Sequence, residues 1–74
     1  MRQKLFSATC VALWGERYQV EAARQLGLGR KSVQRYDLGE RDVPQDVMEK
    51  LQILLLRKQD QVNRLLTKVS EAVS

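Results

Sequence analysis

The 74 residues make one small domain, 1–74, and a core of that size often leans on a disulfide, a metal or a second subunit. Disulfides are excluded by the single cysteine, Cys10. A structural metal site is disfavoured by one cysteine and no histidine, so no metal and no cofactor is expected and oligomerisation is the support that remains. The net charge of +4 is uneven: residues 1–41 hold eight bases against four acids, and residues 42–74 hold five of each, so the N-terminal half suits an anionic partner or is merely a solvated basic surface.

The opening segment MRQKLFSATC has no long apolar stretch, and no run in the chain is apolar enough to span a bilayer. Secretion and membrane insertion are therefore disfavoured, and a lone cysteine fits the reducing cytoplasm. A first helix is predicted over Gln3–Trp14, where Phe6, Cys10, Leu13 and Trp14 recur at helical spacing before Gly15. After Glu16-Arg17-Tyr18 a second helix is predicted from about Gln19, with Val20, Ala23 and Leu26 as its inner stripe and Glu21, Arg24 and Gln25 outside. The turn Gly27-Leu28-Gly29 follows; Gly27 takes φ > 0 at a C-cap without a Cβ penalty, and Gly29 serves as a weak N-cap. The third helix is predicted over Arg30–Leu38, with Val33 and Tyr36 facing inward and Gly39 as its stop. Pro44 is expected as the first residue of the next helix, with Asp46 at the positive end of its dipole.

From Pro44 to Val73 there is neither glycine nor a second proline. Met48, Leu55, Val62 and Val69 form one seven-residue series; Leu51, Lys58, Leu65 and Ala72 form the other, a heptad with one defect at Lys58. The early part is expected to pack on the rest of the chain. The late part has no partner left within it, so Val62, Leu65, Leu66 and Val69 are expected to make a homodimer. The alternative is a monomer in which residues 44–73 break near Gln59 and fold back as a hairpin.

The pair of short helices over residues 19–38 has the build of a helix-turn-helix, whose second helix enters the DNA major groove. Lys31, Gln34, Arg35 and Leu38 follow i, i+3, i+4, i+7 and share one face of that helix, with Arg30 beside Gln34. Arg30, Lys31, Gln34 and Arg35 are therefore candidate base contacts: Arg and Lys suit guanine O6 and N7, and Gln suits adenine N6 and N7. Arg17, Tyr18, Gln19 and Arg41 are candidate phosphate contacts, Gln19 standing at a helix N-terminus. Two plainer readings stand beside these: a solvated polar helix face, and partial core packing for Tyr18.

Gln19, Ala23, Leu26-Gly27-Leu28, Val33 and Tyr36 fall at the frame positions of a known family. Over about residues 17–43 the chain resembles the helix-turn-helix of Cro and the repressors of temperate phages, the Xre-like group. The flanking words ALWGERYQ and LGERDVP also resemble a group of small bacterial and phage regulators in which a tryptophan often stands where this chain has Tyr36. Gly29 is a second departure, since the family often has Ser or Thr there. The resemblance implies an all-α, lambda-repressor-like helix-turn-helix bundle with a long C-terminal helix for dimerisation. It implies a homodimeric repressor of its own operon, acting on an inverted repeat in double-stranded DNA; the anti-CRISPR-associated regulators of phages and mobile elements are a subgroup of this size. An antitoxin or adaptor that holds a protein partner on its C-terminal helix is the competing function. An enzyme is the weakest: there is no histidine and no phosphate-binding glycine loop, and Ser7 and Ser32 have no base in a recognisable motif. Cys10 reads as a buried structural residue.

Overall fold

The computed structural model describes residues 2–74, and these form four helices: α1 (Arg2–Trp14), α2 (Gln19–Leu26), α3 (Arg30–Leu38) and α4 (Gln45–Val73). Glycines set the boundaries between them. Gly27 adopts φ 66°, which turns the chain so that the Leu28 N–H reaches back to the Ala23 carbonyl at 2.8 Å and closes α2. Gly39 does the same for α3 at φ 74°, with the Glu40 N–H on the Arg35 carbonyl at 3.0 Å. A Cβ there would also meet the far end of the Gln3 side chain, 2.6 Å from Oε1, and would push it aside. Gly29 is the N-cap of α3, extended and without a side-chain cap bond. Pro44 stands one place earlier than expected. It is the N-cap of α4, its carbonyl accepting the Met48 N–H at 3.1 Å, and the helix begins at Gln45 with Asp46 in the first turn.

The core gathers Phe6 and Cys10 from α1, Ala22 and Leu26 from α2, Val33 and Tyr36 from α3, and Val47 and Leu51 from α4. Tyr18 and Val43 join it from the connections. Phe6 is fully enclosed and meets Tyr36 edge to face, ring centroids 5.5 Å apart at 71°, a geometry that adds about 0.5–1.5 kcal/mol to burial alone. The expected inner stripe of α2 is corrected in part. Leu26 is buried, but Val20 is 53% exposed and Ala23 only half-buried, while Ala22 is completely enclosed. The reason lies one residue before the helix: Tyr18 enters the core, and the buried positions then follow it at four-residue steps through Ala22 to Leu26.

α4 is one unbroken helix of 29 residues, so the hairpin alternative is overturned: there is no break at Gln59. Its first ten residues belong to the body of the fold. Val47 and Leu51 are buried, Met48 and Leu54 are half-buried, and Lys50 Nζ donates to the Leu26 carbonyl at the end of α2 (3.4 Å). Arg2 ties the start of α1 to the start of α4, donating to the Val43 carbonyl and to Gln45 Oε1, each at 2.9 Å. Beyond Leu54 every residue of α4 is exposed, so residues 55–73 project as an arm that gives the molecule its longest dimension, 50 Å against 22 and 21 Å.

Candidate nucleic-acid interface

α3 presents one side to the core and the other to solvent. Val33 and Tyr36 hold it down. Arg30, Lys31, Gln34, Arg35 and Leu38 are all exposed, as their shared face requires. Two shallow hollows flank this face. One is lined by Lys31, Gln34, Arg35, Leu38 and Glu40, the other by Gln19, Arg30, Gln34, Asp37 and Leu38. Gln34 and Leu38 form the ridge between them, and the structure brings Gln19, from the start of α2, next to Arg30 and Gln34. Arg17 and Arg41 are exposed but lie outside both hollows.

The four polar side chains of this face are unengaged. Among the described residues, the side chains of Arg30, Lys31, Gln34 and Arg35 make no hydrogen bond or ion pair with the chain. Arg24 behaves differently: on α2 it holds Glu21 at 2.8 Å, as an ordinary surface pair.

Tyr18 is placed where its packing alternative put it, and its reading as a phosphate contact is corrected. It is 6% exposed, and its hydroxyl donates to Asp37 Oδ1 at 2.5 Å. Burial is the main reason its hydroxyl titrates above its ordinary value, followed by the hydrogen bond to Asp37. Asp37 itself is a junction that the sequence reading did not identify. Its carboxylate also accepts the Ser7 hydroxyl at 3.1 Å, and its backbone carbonyl accepts Gln3 Nε2 at 2.7 Å. These bonds fasten α1 and the segment before α2 to the inner flank of α3, so the exposed face is held by both packing and hydrogen bonds. An acid on the flank of a helix gives no such signal in sequence, because its donors lie 19 to 34 residues away.

Cys10 is fully buried, and enclosure, with the Asp37 carboxylate second, pushes its thiol up from 9.0 to about 12. A thiol kept protonated is a poor nucleophile and a poor metal ligand. Among the described residues no cluster of His, Cys, Asp and Glu could hold a metal ion, and no helix is long and apolar enough to cross a membrane.

The expected dimer residues all lie on the arm. Val62, Leu65, Leu66 and Val69 are between 48% and 62% exposed, along a face that none of the described residues covers. Comparison with protein-family models, with curated proteins and with solved structures gives no match.

Proposed function

We propose that this chain is a sequence-specific double-stranded DNA-binding transcriptional regulator that places α3 in the major groove and works as a homodimer in the cytoplasm. The observation that carries the reading is the exposed face of α3, where three bases and a glutamine project with no partner among the described residues. Such a face is suited to base edges, while Gln19 at the start of α2 suits a phosphate. The short helices α2 and α3, joined by a left-handed glycine and held by a common core, support a helix-turn-helix of the lambda-repressor-like kind. The uneven charge supports it too, because the whole excess of +4 lies in the half that carries these helices. Repression of its own operon through an inverted repeat is the mode that the resemblance to phage repressors implies, as is an origin in a phage or mobile element.

The exposed arm also fits an antitoxin or adaptor that grips another protein. Salt titration of DNA binding separates the two. If each subunit neutralises three or four phosphates, the slope of log K against log salt for the dimer lies near about −5 to −7. A flat titration would leave α3 a solvated face and favour the adaptor.

A further inference from the structure

We infer that two copies of this chain pair their arms antiparallel, with the two-fold axis passing between Asn63 and Arg64. The inference rests on the homodimer of the reading above and adds its direction and register.

The free part of the heptad seam consists of Leu55, Val62 and Val69 at a, and Lys58, Leu65 and Ala72 at d. In an antiparallel pair each a position meets a d position of the second copy. With the axis between residues 63 and 64, Leu55 meets Ala72 of the second copy, Lys58 meets Val69 and Val62 meets Leu65. All six positions are used, and the two central layers are wholly apolar. The seam is about 26 Å long at 1.5 Å per residue.

Lys58 decides the direction. In a parallel pair the two Lys58 ammonium groups share one core layer, and like charges at that distance repel. In the antiparallel pair they stand 11 residues apart along the seam, about 17 Å, beyond the screening length of about 8 Å in physiological salt. Space points the same way. α1 and α2 already cover Val47, Leu51 and Leu54 on α4, and a parallel pair would crowd both bodies against that one end.

Use of the whole free seam fixes the register, because a shift of one heptad either way leaves two of its six positions without a free partner. The pairing also separates the two bodies: their Leu51 residues lie about 38 Å apart along the helix axis, comparable with the spacing of two half-sites, about 34–36 Å.

Cysteine cross-linking of the full chain under mild oxidation tests this without DNA. Leu55→Cys and Ala72→Cys are prepared singly and mixed; both sites are exposed, and the native Cys10 is buried and stays in place. The expected result is a covalent dimer in the mixture and none from either variant alone. Covalent dimers from each single variant would mean a parallel pair and would overturn the inference. No cross-link in any sample that sediments as a dimer would overturn it as well, leaving the homodimer itself standing. A second pair of cysteines checks the register independently. Val62→Cys mixed with Leu65→Cys is expected to cross-link, and Leu55→Cys mixed with Leu65→Cys, the pair that a shift of one heptad would bring together, is not; a covalent dimer from that last mixture alone overturns the register.

Discussion

Residues 2–54 and residues 55–73 share one unbroken helix, yet they treat apolar side chains in opposite ways. In the body, Phe6, Leu26, Val33 and Leu51 are at most 2% exposed. On the arm, Leu65 and Val69 are more than half exposed. The same seven-residue repeat runs through both, with Leu51 and Leu65 at equivalent places. Periodicity therefore fixes which side chains share a face, whereas the surrounding chain fixes whether that face is already covered. The body covers its apolar side chains within one copy, and the arm leaves its own exposed.

The sharpest way to break this comparison is to damage the body. Phe6→Ala is expected to cost about 3–5 kcal/mol, because it removes a fully enclosed ring and its contact with Tyr36. Denaturant unfolding measures it, and a loss under 1 kcal/mol would mean that the core does not depend on α1. Damage to the arm is expected to leave folding intact and remove function. Leu65→Asp keeps its helical content, sediments as a monomer and loses roughly a hundredfold in operator affinity, about 3 kcal/mol. A variant that still sediments as a dimer would move the interface away from the arm.

Smaller changes probe the face that the body holds in place. Gln34→Ala and Arg35→Ala are each expected to cost about 1–3 kcal/mol on the best operator and to relax the choice at particular base pairs. A panel of single-base operator variants reads this, and a uniform loss across it would make them phosphate contacts. The smallest effect is expected at Tyr18→Phe, about 1 kcal/mol of stability for the bond to Asp37. The pH dependence has a definite sign. Tyr18 and Cys10 both titrate higher in the fold than in the unfolded chain, so the unfolded chain loses these protons first as pH rises. The Cys10 contribution is complete below about pH 9 and is lost between about pH 9 and 12, and the Tyr18 contribution is complete below about pH 10 and falls above it. Urea midpoints measured across that range should fall, and Tyr18→Phe should make the fall shallower.

Much of this arrangement was legible in the chain, and the parts that were not have a common cause. The glycine boundaries, the inward Val33 and Tyr36, the buried Cys10 and the exposed face of α3 follow from local pattern. The register of α2 does not, because Val20-Glu21-Ala22-Ala23 offers apolar residues on more than one side and only the entry of Tyr18 into the core selects Ala22. The role of Asp37 was hidden for the same reason: its donors, Gln3, Ser7 and Tyr18, come from distant parts of the chain. The unbroken course of α4 through Gln59 was open in sequence, since a heptad with a lysine at one seam position fits both a straight rod and a bend.

The absence of any hinge in α4 makes this protein a ruler with a phase. A residue inserted between Leu54 and Leu55 would turn everything beyond it by about 100° and advance it by about 1.5 Å. The apolar stripe would then face the wrong way while every side chain in it remained intact. Seven inserted residues would lengthen the arm by about 10.5 Å and return the stripe almost to its bearing. Length changes in this arm should therefore be tolerated in whole heptads, and a one-residue deletion should do more harm than a seven-residue insertion, which nearly keeps step.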